Sequence, residues 1–222
     1  MSIIDLENEL RSYSDIERGA FNESLFSCDL KSLGTRVPQL RLLAHKYSDL
    51  DISTIPLDST FDENFLFFSI GLLQNSTLEK QTDFILKYQD YLKTWAITDS
   101  ISQLFRIKDF QTDLTLLNKL KSGSLFAQRL SYVLILRYLR LKKSPLDNII
   151  SFLEDSPSRE VYYALAWVLA EFCIKYPEAF VSLYQKERYS LATRRITVSK
   201  INDSRRVTAE GKKKAKKLIL GN

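Results

Sequence analysis

Apolar residues recur along this chain every three or four positions, the spacing that lines one face of an α-helix. No segment shows convincingly the period-two alternation of a half-buried strand. The pattern therefore predicts an all-α protein. A first helix runs from Ile3 to about Ser12. A second starts at Asp15, sets Ile16, Ala20, Phe21, Leu25 and Phe26 on one face, and ends near Cys28. The third follows the turn Leu33-Gly34-Thr35-Arg36-Val37-Pro38, with proline in the first helical turn where its missing N–H is harmless, and reaches about Tyr47. Asp49 to Thr60, with Pro56, is a polar connection. The fourth helix, about Phe61 to Gln74, is unusually aromatic (Phe61, Phe65, Phe67, Phe68) and belongs at the centre of the core. Ser76-Thr77-Leu78-Glu79 has the spacing of a capping box and opens the fifth helix, to about Tyr91. The sixth carries Trp95 to Phe105 and the seventh about Phe110 to Leu120. Ser122-Gly123-Ser124 breaks the chain before a long helix from Leu125 to about Leu141, and starts at Ser144, Ser156, Pro177, Ser190 and Thr208 mark the rest. Helices of about ten to twenty residues, recurring every thirty to forty, predict stacked helical hairpins: an α-solenoid with a concave binding face. One domain is expected over 1–222, with 208–222 a basic C-terminal helix.

Composition narrows the class. Hydrophobic residues make up 45% of the 222, enough for a substantial core, while no apolar run approaches the length that spans a bilayer. The start, MSIIDLENEL, is acidic where a secretion signal needs a basic region, so a cytoplasmic protein is expected. Cys28 and Cys173, in apolar surroundings and far apart, suit buried free thiols in a reducing compartment. Charge is polarised along the chain. Residues 1–100 carry nine Lys or Arg against sixteen Asp or Glu, whereas 101–222 carry twenty-three against eleven. A cationic half of this size points to an anionic partner, nucleic acid or a lipid surface, or simply to a solvated surface with a basic tail.

The chemistry available is restricted. His45 is the one histidine and has no partner at metal-ligand spacing, so neither a metal nor another cofactor is expected. Phosphate-cradling glycine loops and the nucleophile elbow are absent from the sequence. What remains is carboxylate, aromatic and guanidinium chemistry. The stretch Thr94-Trp95-Ala96-Ile97-Thr98-Asp99-Ser100 sets an indole and a carboxylate four residues apart, on one helical face. Asp99 there is either a structural carboxylate, capping or paired, or a group with work to do. Trp95 and Trp167 by pattern alone are core residues, and Arg129 a solvated helix charge.

Four segments, in order, resemble the DNA alkylation repair glycosylases of the AlkD-like family. Leu33 to Arg41 is similar to that family's L-G-x-[RK]-x-P-x-x-R. Trp95 with Asp99 matches W-x-x-x-D, Phe126-Ala127-Gln128-Arg129-Leu130-Ser131 resembles W-x-[RQ]-R-x-[AS], and Ala164 to Leu169 resembles A-x-G-W-x-L, with Lys200 to Val207 close to the family's ending. Phe126, Ala96 and Ala166 depart from the usual residues. The resemblance implies HEAT-like repeats acting as a monomer on duplex DNA, with no membrane, and excision of cationic alkylpurines (3-methyladenine, 7-methylguanine) without base flipping. Asp99 would be the catalytic carboxylate, Trp95 and Trp167 the walls around the deoxyribose, Arg129 a phosphate clamp, and Arg36 and Arg41 further DNA contacts. The alternative is a non-catalytic helical module that binds DNA structures or a protein partner.

Overall fold

In the computed structural model, residues 2–51, 55, 61–141, 145–184 and 188–221 are described. Among them the regular structure is helical: α1 Ile3–Ser12, α2 Ile16–Leu25, α3 Val37–Lys46, α4 Asp62–Leu73, α5 Leu78–Tyr88, α6 Trp95–Leu104, α7 Phe110–Lys121, α8 Leu125–Leu141, α9 Leu146–Phe152, α10 Arg159–Lys175, α11 Pro177–Tyr184, α12 Leu191–Asp203 and α13 Ala209–Leu220. The starts have a common cause. Ser2, Asp15, Thr77, Thr94, Asp109, Ser190 and Thr208 each accept a first-turn N–H with a side-chain oxygen, which satisfies donors that the helix itself leaves open.

Three local expectations are corrected. The face expected of the second helix is not a core face, since Ile16 and Phe21 are 87% and 63% exposed and the residue that α2 buries is Gly19. A Cβ on Gly19 would lie 2.6 Å from the Ser32 carbonyl oxygen, so α2 docks by backbone approach. The fifth helix is capped by Thr77, not Ser76, whose hydroxyl donates to the Leu72 carbonyl instead. Cys28 is exposed; Cys173 is half-buried, and burial pushes its thiol pKa up. The connection expected from Asp49 to Thr60 falls mostly outside the described residues, as does the helix start at Ser144.

The chain forms two compact units, Met1–Arg106 and Ile107–Asn222. In the first, α4 is buried on nearly every side, as its aromatic composition predicts, and packs on α3 and α6. Beside it Phe65 stacks with Phe84 and Tyr91, and Phe68 meets Phe84 at a tilt and Tyr88 edge-on. Buried side chains join α4 to α6 at corresponding ends: Asp62 meets Thr94 at their starts, and Gln81 bonds the Leu73 and Leu104 carbonyls at their ends. The two helices therefore run parallel. In the second unit α7 and α8 form an antiparallel hairpin, with Tyr138 near the end of α8 donating to Asp113 near the start of α7. Arg129 and Arg140 of α8 meet Glu160 and Glu171 of α10, so that pair is parallel. So is α10 with α12, since Asp155 ahead of α10 binds the Ser190 cap and Glu171 binds Arg206 beyond α12. Parallel alternate helices with antiparallel partners are the local arrangement of an α-solenoid.

Gly34 is where the fold depends most sharply on one residue type. Its φ is +75°, and a Cβ there would meet the Asp15 carbonyl oxygen at 2.2 Å and the Gly19 nitrogen at 2.7 Å. Gly221 has a similar φ of +78° but open space around it. Gly34→Ala should lower unfolding free energy by about 2–5 kcal/mol, combining left-handed strain of about 1–2 kcal/mol with overpacking of about 1–3 kcal/mol. Gly221→Ala should cost no more than the strain alone. Urea unfolding of both variants decides it, and equal losses would refute the steric part.

Candidate functional site

Helix α6 carries the indole and carboxylate that the sequence singles out. Thr94 starts it, with extended backbone: its hydroxyl accepts the Ile97 N–H at 3.2 Å and donates to Asp62 Oδ1 at 2.6 Å. At the other end Gln81, fully buried, accepts the Arg106 N–H at 2.7 Å while its amide donates to the Leu104 and Leu73 carbonyls. The helix is thus fixed at both ends by buried hydrogen bonds, and Ile97 and Ile101 anchor its inner face. Trp95 is its first residue and Asp99 lies one turn on, both half-buried. Capping does not account for Asp99. Thr94 fills that role, and Asp99 is past the turn whose N–H groups need a cap.

Asp62 is 2% exposed. Burial drives its carboxyl pKa up to about 7; the Thr94 hydrogen bond pulls it down, and neighbouring Glu63 pushes it up. Glu63, equally buried, holds the turn before α3: its carboxylate accepts the Leu33, Gly34 and Thr35 N–H groups at 3.0, 2.8 and 3.3 Å, and the Ser32 hydroxyl at 2.8 Å. These bonds explain the Leu33-Gly34-Thr35 sequence. Gly34 turns its N–H toward Glu63 in a conformation that a side chain would oppose. The same turn sets Arg36 at the start of α3, exposed and 4.0 Å from Asp15, with Arg41 exposed one turn later.

In the second unit Arg129 lies where the solvated reading did not put it. It is 2% exposed, and its Nη1 donates to the Glu160 carbonyl at 3.0 Å, tying α8 to the first turn of α10. Phe126, one turn earlier, is buried as well. Trp167 is half-buried on α10, and the Arg140 guanidinium sits 5.8 Å from its ring centroid. Four residues on, Glu171 is 1% exposed and gathers cations: Arg206 by two bonds of 3.0 and 2.8 Å, Arg140 at 3.3 Å and Lys175 at 4.0 Å. Burial alone would raise the Glu171 pKa, but Arg206 and Arg140 outweigh it and hold the carboxyl below its ordinary range. Among the described residues no three His, Cys, Asp or Glu side chains converge as a metal site. No described helix is long and apolar enough to cross a membrane.

The family model described as DNA alkylation repair enzyme matches residues 6–195. This chain belongs to that family. A solved structure described as a predicted DNA alkylation repair enzyme from Enterococcus faecalis is similar to it with a TM-score of 0.62 at 15% identity, over 86% of this chain and 98% of that one. No curated protein matches. The span matched to the DNA alkylation repair family contains Arg36, Arg41, Trp95, Asp99, Arg129 and Trp167, and ends before Lys200, Arg205 and Arg206. Sequence reasoning found Trp95 and Asp99 as a helical pair but missed Asp62, Glu63, Gln81 and Glu171. A usable signal existed for one of them and for the partner of another. Thr94 directly before an apolar helical pattern is a cap, and Glu171 stands four residues after Trp167, on its face.

The raised pKa of Asp62 has a measurable consequence. The folded chain keeps this proton up to about pH 7, the unfolded chain only to its ordinary value of 3.8. Between those values the folded state binds the extra proton, so the group's contribution to stability falls as pH rises from 3.8 to about 7 and is level above. Wild type should therefore lose urea resistance relative to Asp62→Asn between pH 5 and pH 8. A difference between the two proteins that does not change with pH would overturn the assignment.

Proposed function

We propose that this DNA alkylation repair protein is a glycosylase that excises cationic alkylated purines, such as 3-methyladenine and 7-methylguanine, from duplex DNA by hydrolysing the N-glycosidic bond. The observation that carries this reading is the Trp95–Asp99 pair, one turn apart on a helix fixed at both ends, with its cap supplied by Thr94. A purine alkylated to a cation leaves as a neutral base, so its departure needs no strong acid. It needs a negative charge near the sugar, which becomes oxocarbenium-like, and a placed water. Asp99 supplies the charge and orients the water toward C1′. Trp95, one turn before Asp99, lies against the deoxyribose, its indole face stabilising a developing cation by about 0.5–2 kcal/mol on the scale of cation–π pairs. The base stays in the stack. Arg36 and Arg41, exposed on and before α3, contact the duplex backbone, while Arg129, too buried for a direct phosphate contact, holds α8 to α10.

The deciding experiment is release of methylated bases from treated duplex DNA by wild type and by Asp99→Asn, a substitution that keeps shape and removes charge. Release should fall by about 100-fold or more while DNA binding is retained. Equal release by both proteins removes Asp99 from the mechanism; binding without release by wild type makes the chain a non-catalytic DNA-binding module.

Selectivity follows from the same chemistry. A carboxylate stabilises a sugar cation but does not neutralise a departing anion, so only bonds already weakened by positive charge on the base should be cleaved efficiently. In single-turnover assays on otherwise identical duplexes, 7-methylguanine should be released far faster than hypoxanthine. Comparable rates would sink the charge-driven mechanism and require a proton donor near Asp99.

A further inference from the structure

Within the second unit a cleft of about 410 Å³ opens between α10 and the end of α12, lined by Trp167 and Glu171 on one side and Lys200, Ser204, Arg205 and Arg206 on the other. Its charge is unbalanced. Glu171 at the cleft base bonds Arg206 of the lining and, from outside the lining, Arg140, with Lys175 at 4.0 Å, so this buried carboxylate is already offset by cations. Lys200 and Arg205 add two more at the wall, against Asp203 alone. The α12 C-terminus contributes about half a negative charge at most, so the lining cations together with the Arg140 and Lys175 that share Glu171 still outweigh the two carboxylates. Glu171 also does something a solvated cluster lacks. By occupying both terminal nitrogens of Arg206 it fixes that guanidinium in place, which lowers the entropy lost when an anion is bound next to it.

We propose that this cleft is a seat for a single backbone phosphate of the DNA, held by Lys200 and Arg205 beside the Glu171-fixed Arg206, with the adjoining sugar against Trp167. The size is right for a phosphate and its sugar, since small-ligand pockets begin at about 300 Å³. A phosphodiester matches the lining better than a carboxylate ligand, because several cations line one cleft and a phosphate offers more oxygens to share among them. The seat rests on the reading of the chain as a DNA-binding repair protein, but not on catalysis. It contacts undamaged and damaged duplex alike.

The test uses the full chain, the double variant Lys200→Ala/Arg205→Ala, and a duplex in which each phosphate in turn is replaced by a neutral methylphosphonate. Both substituted residues are outside the residues assigned to chemistry, and urea unfolding checks that the variant is folded. Wild type should lose about tenfold affinity at one methylphosphonate position. The double variant should lose a similar amount on unmodified duplex, with its salt slope reduced by about one or two, and be insensitive to methylphosphonate at that same position. Unchanged affinity and slope in the double variant, or equal sensitivity of both proteins at every position, overturns the seat. Inorganic phosphate is titrated in parallel: saturable binding lost in the double variant, with DNA affinity unchanged, makes the cleft a free-phosphate site and also overturns it. Normal DNA binding with no base release would defeat the glycosylase reading while leaving this one standing.

Discussion

Short helices have a cost that long ones spread out: each end leaves about four backbone groups without partners, whatever the helix length. This fold meets it with buried polar side chains that bridge ends of different helices. Gln81 is the clearest case, since its one amide satisfies the carbonyls that end α4 and α6 and the N–H of Arg106. An apolar residue of equal size would orphan all three groups, at about 1–3 kcal/mol each. Thr94, held by Asp62, does the same at the start of α6 by accepting the Ile97 N–H, while Arg129, donating to the Glu160 carbonyl, links α8 to the start of α10. Packing of apolar faces provides most of the stabilisation, but it is tolerant of sliding. These bonds are directional, and they set the register in which the helices stack.

That register contains the repeat that the sequence hides. Bonded residues on successive parallel helices are 32 apart from Asp62 to Thr94, 31 from Arg129 to Glu160 and from Arg140 to Glu171, and 35 from Glu171 to Arg206. The thirty-to-forty-residue recurrence expected from helix lengths is thus present as a spacing of ends. No alignment of residue types reveals it, because what recurs is a place needing a hydrogen bond, filled by Thr in one helix, a main-chain carbonyl in the next and Arg in another.

The same reasoning separates what was legible from what was not. Helix extents were readable because periodicity and caps are local, and Ile3–Ser12 and Leu125–Leu141 match their expected bounds residue for residue. The face of α2 was not, since Ile16 and Phe21 are as apolar as core residues and only the approach of Ser32 to Gly19 decides against them. Buried charge was the other blind spot. Glu63 and Arg129 look like solvated charges in sequence, and only the backbone groups they reach, far along the chain, explain why burying them is tolerable. Trp95 and Asp99 were legible as a pair, while the question of whether Asp99 is a cap needed the observed hydroxyl of Thr94.

The uneven charge of the chain bears on the proposed chemistry through distance. The unit that carries Asp99 has more acidic than basic residues, and the unit that carries the phosphate-seat residues has twenty-two Lys or Arg against eleven Asp or Glu. At about 0.1 M salt, exposed charges act over roughly 10 Å, so the surface acids of the first unit contribute little at a reacting sugar. A carboxylate at about 4 Å, in surroundings with an effective dielectric near 20, contributes about 4 kcal/mol. One well-placed group therefore outweighs a whole unit's net charge. The Coulomb term falls with every ångström that the group drifts, which makes the fixing of α6 by Asp62, Thr94 and Gln81 as much a part of the proposed mechanism as Asp99 itself.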